Sequence, residues 1–130
     1  MAIITWSDSY TVNSAPIDAQ HKKLFGLIND LHDAMLQGKG KDILGTTLDA
    51  LMDYTRVHFS AEEQMLEKLK YPELAVQKAE HAIFIKKITE LQTLQKTGKL
   101  VLTMPVLEFL KSWLSNHILK NDKKYSTYIR

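Results

Sequence analysis

The chain has 130 residues, of which 45% are hydrophobic and 25% are charged, and its formal net charge is +2. This length fits one domain with one core, and the nearly balanced, dispersed charges exclude the basic surface of a nucleic-acid binder. The absence of cysteine excludes disulfides and thiolate metal sites. Residues 1–10 lack a signal-peptide pattern, and no stretch reaches the roughly eighteen apolar residues that span a bilayer. We therefore expect a cytoplasmic protein without a membrane span.

The sequence begins with an irregular leader, residues 1–16, which has no sustained period and contains Trp6 and Tyr10. We predict an ordered loop that is held by its aromatic side chains. The first helix is predicted to run from Ile17 to the break at Gly38-Lys39-Gly40, because paired glycines lower helix propensity and offer a left-handed C-cap.

Three further helices are predicted from the apolar periodicity and its breaks. The second runs from about Asp42 to Lys70, because Tyr71-Pro72 disfavours helical geometry. The third runs from Glu73 to about Thr97, and the fourth begins at Thr103 or Met104 with Pro105 in its first turn. The inward stripe of the second helix is predicted to be Leu44, Leu48, Leu51, Thr55, His58, Glu62, Met65 and Leu69.

Four helices that each carry one apolar stripe, joined by short breaks, pack most economically as an antiparallel up-down bundle. We therefore predict an all-α protein that forms a single domain over residues 1–130. Its parts are the N-terminal loop 1–16, the bundle 17–122 and a short C-terminal helical tail 123–130.

Polar side chains interrupt the inner stripes where leucine is expected, namely His21, His58, Glu62, Gln77, His81 and His117. A buried polar group without a partner costs about 1–3 kcal/mol. Six such groups would cost about as much as the roughly 5–15 kcal/mol that stabilises a domain. Histidines that bond to one another do not easily neutralise a buried carboxylate, whereas divalent cations satisfy several such groups together. A metal site is therefore favoured.

The four histidines on these stripes are predicted to meet in one layer of the bundle. His21 and His81 lie early in their helices, and His58 and His117 lie late in theirs, so alternating helix directions bring all four to the same end. Imidazoles mixed with carboxylates and without thiolates suit iron or manganese better than magnesium or a closed zinc site. Two metal ions bridged by Glu62 would be the economical arrangement.

Asp122 is not selected by periodicity. It lies five residues after His117, about 140° around a regular helix, so it can reach the site only by a long reach or a local distortion.

The chain resembles the single-domain bacterial hemerythrins over nearly its whole length. The residues that carry the resemblance are Trp6, Ile17-Asp18-Ala19-Gln20-His21, His58-Phe59-Ser60-Ala61-Glu62-Glu63, Tyr71-Pro72, His81 and His117-Ile118-Leu119-Lys120-Asn121-Asp122.

The resemblance implies a centre of two non-haem iron ions, with an oxo or hydroxo bridge, that binds dioxygen reversibly. It implies that His21 and His58 hold one iron, and that His81, His117 and a further histidine hold the other. It also implies that Glu62 and Asp122 bridge both, which gives Asp122 the role that spacing does not.

This sequence departs from the family pattern H-x-x-x-H, because the corresponding segment reads Gln77-Lys78-Ala79-Glu80-His81. Gln77 is a weaker donor to iron than imidazole and can ligate weakly, hold a water ligand or hydrogen-bond nearby. Each role permits a second exchangeable position, so we expect faster autoxidation than in a Gln77→His variant.

Other residues near the predicted centre receive less specific roles. Leu114 lies one turn before His117 and is our candidate for a residue that gates an oxygen pocket. Glu63 is interpreted as part of a solvated helix face. His32 lies about 16 Å further along the helix than His21, so it cannot share the metal site.

Three function classes remain open: an oxygen carrier or delivery protein, an oxygen or redox sensor, and a di-iron oxidase or peroxidase. A sensor usually has an attached output domain, which we do not expect here, and only Gln77 favours the enzyme. We therefore expect a monomeric, non-enzymatic oxygen carrier that can supply an oxygen-consuming protein.

Overall fold

The computed structural model describes residues 3–37, 41–98 and 104–129. These residues form four long helices, α1 Ala15–Leu36, α2 Lys41–Lys68, α3 Leu74–Lys96 and α4 Met104–Asn116, and contain no strand. Helix α2 packs against α1 and α3, and α1 also contacts α4. The predicted all-α four-helix bundle is thereby confirmed. The glycine break at Gly38-Lys39-Gly40, the Thr103 cap and the inward side chain of Leu44 lie outside the described residues.

After α4 the chain continues without a break through a π-helical segment, His117–Asp122, and one turn of α-helix, α5 Lys123–Tyr125. Short 3-10 turns at Asp8–Tyr10 and Ser126–Tyr128 complete the described elements. None of the helices in the described ranges combines the length and apolar character needed to cross a bilayer.

Helix α1 begins at Ala15, two residues earlier than predicted. The hydroxyl of Ser14 accepts a hydrogen bond from the backbone N–H of Ile17 at 3.3 Å, which caps the first turn. Pro16 lies in that turn, where its missing N–H has no intrahelical partner to lose. The leader is therefore shorter than residues 1–16.

Helix α2 ends at Lys68 rather than Lys70, because Lys70 takes the left-handed conformation with φ 55°. The N–H of Lys70 donates to the carbonyl of Glu67, and that of Tyr71 donates to the carbonyl of Leu66, both at 3.0 Å. This is a Schellman termination, and Tyr71 also packs in the same apolar cluster as Leu66. Leu69 was predicted to face inward, but the turn leaves it 37% exposed.

The leader is ordered by contacts with α1, as predicted from its aromatic residues. The rings of Trp6 and Tyr10 lie 5.7 and 4.9 Å from the ring of Phe25. The backbone N–H groups of Ile3 and Ile4 both donate to Asn29 Oδ1. The leader thus covers the side of α1 that carries Phe25 and Asn29.

Replacing Gly26 by alanine is expected to stabilise the fold by up to about 1 kcal/mol, because glycine is a poor helix former. Gly26 lies in the middle of α1, and an added Cβ would have no atom within 4 Å. Urea unfolding of the variant measures the gain. Gly45→Ala is the control, since its Cβ would lie 2.8 Å from the Gln95 side chain. A larger gain at Gly45 than at Gly26 would contradict this reasoning.

Candidate metal centre

Four elements of the bundle bring polar side chains together in its interior. Helix α1 provides His21, α2 provides His58 and Glu62, α3 provides Gln77 and His81, and the π-helical segment provides His117 and Asp122. Every one of these seven side chains is buried, with at most 4% of its surface exposed. The predicted convergence of the four histidines is therefore observed.

One group of potential ligands forms around His81 and His117. The Nε2 atoms of these two rings lie 3.1 Å apart. His81 Nε2 lies 2.9 Å from Glu62 Oε1, and His117 Nε2 lies 3.1 Å from Asp122 Oδ1. Ligand-type atoms of these four residues all lie within 4.8 Å of one another, close enough to share one cation.

A second group forms around His21 and His58, whose ring centroids lie 4.7 Å apart. His21 Nε2 lies 3.2 Å from Asp122 Oδ2 and 3.6 Å from Glu62 Oε2. His58 Nε2 also lies 3.6 Å from Glu62 Oε2. Ligand-type atoms of His21, His58 and Glu62 again fall within 4.8 Å of one another.

The two carboxylates connect these groups, and each presents a different oxygen to each pair of histidines. Glu62 directs Oε1 toward His81 and Oε2 toward His21 and His58. Asp122 directs Oδ1 toward His117 and Oδ2 toward His21. This arrangement suits two cations side by side that share both carboxylates.

The π-helical segment explains how Asp122 reaches the site. Its backbone hydrogen bonds follow the i to i+5 pattern, so residues five apart in sequence lie one turn apart on the same face. His117 and Asp122 are the first and last residues of this segment. The local distortion that the sequence left open as one of two routes is the one observed.

Two histidines have hydrogen-bond partners on the side of the ring that faces away from the centre. His58 Nδ1 lies 2.6 Å from Gln20 Oε1, and His81 Nδ1 lies 2.8 Å from Glu63 Oε2. Because these oxygens are acceptors, each Nδ1–H donates and each Nε2 keeps its lone pair for the centre. Glu63, which the sequence placed on a solvated face, therefore orients His81 while its side chain stays 26% exposed.

Tyr125 is a contributor that the sequence did not indicate. Its side chain is fully buried, and its hydroxyl donates to Glu62 Oε2 at 2.6 Å. It lies three residues after Asp122 and therefore shares a helix face with that residue. This spacing is the one feature of the sequence that could have indicated a place for Tyr125 in the site. Tyr125 fixes the orientation of the carboxylate that connects the two groups.

Tyr125→Phe is expected to lower the free energy of unfolding by about 1–3 kcal/mol, because it removes a hydrogen bond to a buried carboxylate. Urea denaturation of the wild-type and variant chains measures the loss. Tyr128→Phe is the matched control, since Tyr128 is 43% exposed. If both variants lose the same free energy of unfolding, the hydrogen bond from Tyr125 to Glu62 contributes no more to stability than an exposed hydroxyl group does.

The electrostatics of the cluster keep its carboxylates ionised. Burial alone would raise the pKa of Glu62, but hydrogen bonds with His21 and His81 hold it well below its ordinary value. Burial opposes charging of His21, yet its contacts with Asp122 and Glu62 raise its pKa to about 9. Burial dominates at His58 and lowers its pKa to about 4. These shifts leave the carboxylates anionic and the His58 ring neutral, whereas His21 is protonated at neutral pH and has to release a proton before its Nε2 can bind a cation.

Four buried atoms that could bind a metal make no well-aligned hydrogen bond, although three of them face a histidine or a carboxylate of the cluster: His21 Nε2, Glu62 Oε1, Gln77 Oε1 and Asp122 Oδ2. Each such atom would cost about 1–3 kcal/mol if nothing satisfied it. They belong to the same residues whose mutual distances suit shared cations. Imidazole nitrogens and carboxylate oxygens are ligands typical of iron and manganese, so the residues fit a pair of such ions.

Apolar side chains enclose the centre. The ring of Phe59 stacks on His81, with centroids 3.7 Å apart, and Trp113 stacks on His117 at 4.6 Å. Leu114 is buried in the main core and precedes His117 by three residues. These side chains hold the rings of His81 and His117 in place and limit the access of water to the cluster.

His32 is in α1, about three turns beyond His21, and is 9% exposed. Its Nδ1 has no hydrogen-bond partner. It belongs to neither group of clustered ligand-type residues, as its distance along the helix predicts.

A helical bundle that encloses clustered histidines and bridging carboxylates defines a class of protein, the bundle with a buried two-metal centre. Comparisons with known proteins identify the family within this class. Residues 13–129 match the hemerythrin HHE cation-binding domain. The bacteriohemerythrin of Methylococcus capsulatus is 37% identical over 126 residues, which are 96% of this chain and 95% of that protein.

Two further comparisons agree. A bacteriohemerythrin of Pseudomonas aeruginosa is 34% identical over 130 residues, covering the whole of this chain and 84% of the relative. The crystal structure of wild-type hemerythrin superposes with a TM-score of 0.92 at 35% identity, with 98% of each chain covered. The chain therefore belongs to the hemerythrin family, which implies a non-haem di-iron centre.

Proposed function

We propose that this chain binds dioxygen reversibly at two non-haem iron ions and serves in oxygen carriage, storage or delivery rather than as an enzyme. One observation supports this most strongly: Glu62 and Asp122 each present one oxygen to each of two histidine pairs. Two ions that share both carboxylates are the arrangement these oxygens suit. The family assignment agrees with it.

In this proposal His21 and His58 hold one iron, and His81 and His117 hold the other. Glu62 and Asp122 would each offer one oxygen to each ion, and an oxo or hydroxo group would complete the centre. When bound, the ferrous pair supplies the electrons on which reversible dioxygen binding depends. No protein nucleophile or general base is needed for this function.

The remaining residues orient ligands and exclude water. Gln20 and Glu63 fix the rings of His58 and His81 through their Nδ1 atoms. Tyr125 fixes Glu62, and the apolar side chains of Phe59 and Leu114 protect the reduced centre from water. Leu114 is the proposed gate of the oxygen pocket.

The test is an anaerobic reduction of the purified, iron-loaded protein, followed by exposure to air and then by removal of oxygen. We expect a visible absorption band that appears with oxygen and disappears when oxygen is removed, over repeated cycles. An irreversible colour change with peroxide turnover would contradict the carrier function. A protein that takes up no iron would contradict the di-iron centre itself.

Leu114→Ala is expected to shorten the life of the oxygenated band, because water gains access to the centre. It should also destabilise the fold by about 2–5 kcal/mol, as other buried leucines do. Leu110→Ala is the matched control, since Leu110 is fully buried in the same core one turn further from His117. The role of Leu114 as a gate is wrong if both variants lose the band at the same rate.

A further inference from the structure

Gln77 is the one clustered side chain to which the proposed function gives no role. It lies in α3 one turn before His81, and only 1% of its surface is exposed. Its Nε2 donates to Asp122 Oδ1 at 3.1 Å, and its Oε1 has no hydrogen-bond partner. A buried amide oxygen without a partner is costly, so its position beside the centre calls for an explanation.

The position of the amide matches that of a ligand. Two ligand atoms that bind one cation at right angles to each other, with bonds of about 2.1 Å, lie about 3.0 Å apart. At the position proposed for the second ion, His81 Nε2 lies 2.9 Å from Glu62 Oε1 and His117 Nε2 lies 3.1 Å from Asp122 Oδ1. The end of the Gln77 side chain lies 3.1 Å from the same oxygen of Asp122.

The amide can present its oxygen at this position by turning about its last bond, a torsion with broad minima. An NH₂ group has no lone pair for a metal, whereas the carbonyl oxygen has two. The hydrogen bond to Asp122 Oδ1 satisfies that oxygen when no cation is bound. Asp122 and His117 would hold a cation in place of that interaction, and the Gln77 carbonyl, which otherwise has no partner, would then have one.

We propose that Gln77 Oε1 is a ligand of the metal ion held by His81 and His117, and that it makes this position weaker and more tolerant of Mn(II) than an imidazole would. The inference rests on the proposed two-metal centre. With Gln77 this position has three protein oxygens, from Gln77, Glu62 and Asp122, beside two imidazole nitrogens. Carbonyl and carboxylate oxygens suit manganese, whereas imidazole favours iron, so the substitution shifts the preference of one ion only.

The experiment compares the native chain with Gln77→His, Gln77→Leu and His32→Gln, each expressed with equimolar iron and manganese and purified without oxygen. Elemental analysis gives ions per chain, and Mn(II) electron paramagnetic resonance gives the manganese that is bound. We expect two ions in the native chain and close to one in Gln77→Leu. In Gln77→His we expect two ions with a ratio of iron to manganese raised by about tenfold, the lower end of typical effects of changes around a metal site.

His32→Gln exchanges the same two residue types on α1, outside the ligand groups, and should match the native chain. The inference is overturned if Gln77→Leu retains two ions with the native ratio of iron to manganese. If that variant does not fold, as judged by circular dichroism, an unchanged ratio in Gln77→His overturns it instead. A native chain without bound metal would overturn the proposed function as well, so the two failures are distinguishable.

Discussion

Glu62→Gln is expected to reduce the metal content from two ions per chain to one or fewer and to abolish the reversible oxygen band. Glu62 presents an oxygen to each pair of histidines, so the neutral amide withdraws an anionic ligand from both positions at once. The change preserves side-chain size and leaves an oxygen that Tyr125 can still reach. Elemental analysis and visible absorption measure the two effects.

Glu67→Gln provides the control for this substitution, because Glu67 is an exposed residue of the same helix. It should leave both the metal content and the oxygen band unchanged. If the Glu62→Gln variant still binds two ions with the native affinity, the Glu62 carboxylate does not bridge the pair.

Gln77→His is expected to slow the loss of the oxygenated band by about tenfold relative to the native chain. An amide oxygen is a weaker donor to iron than imidazole, so the native position exchanges more readily with water. The rate is measured by following the band in air-equilibrated buffer at constant temperature. The comparison is made on preparations that contain two irons per chain, so that differences in loading do not enter.

Equal rates of loss in the native and Gln77→His proteins would show that position 77 does not control the lifetime of the oxygenated state. Such a result would leave the number and identity of bound ions undecided, because those are measured separately. His32→Gln should again match the native chain, since His32 lies outside the ligand groups.

The architecture could be predicted because each long helix repeats its apolar side chains with helical spacing. His21, His58, His81 and His117 occupy those same stripes, so the pattern that places leucines in the core also places these rings there. Alternation of helix direction then suffices to bring them into one layer. The convergence thus follows from the periodicity of each helix together with the antiparallel order of the helices.

Other contributors to the site depend on geometry that periodicity does not contain. Asp122 reaches the centre only because the helix widens into a π-helical segment, and the regular spacing would have turned it away. Glu63 is a charged residue among charged neighbours in the sequence, which suggested a solvated helix face, but its side chain is only 26% exposed. Its hydrogen bond to His81 depends on how closely α2 and α3 pack.

Helix ends were predicted to within two residues, and the errors have local causes. The Ser14 cap extends α1 at its start, and the left-handed conformation of Lys70 shortens α2 at its end. The C-terminal turn at Tyr125 was predicted as helical, but nothing in the spacing of apolar residues indicated its hydrogen bond to Glu62.

The widened turn at His117–Asp122 bears on how this helix could change over evolution. Deleting one residue between its ends would restore the four-residue spacing of a regular α-helix, and both side chains would still share a face. Deletion of a single codon would therefore produce an uninterrupted helix. Because π-helical turns are rare and concentrate at functional sites, the extra residue is expected to persist only while selection acts on the side chains at its two ends.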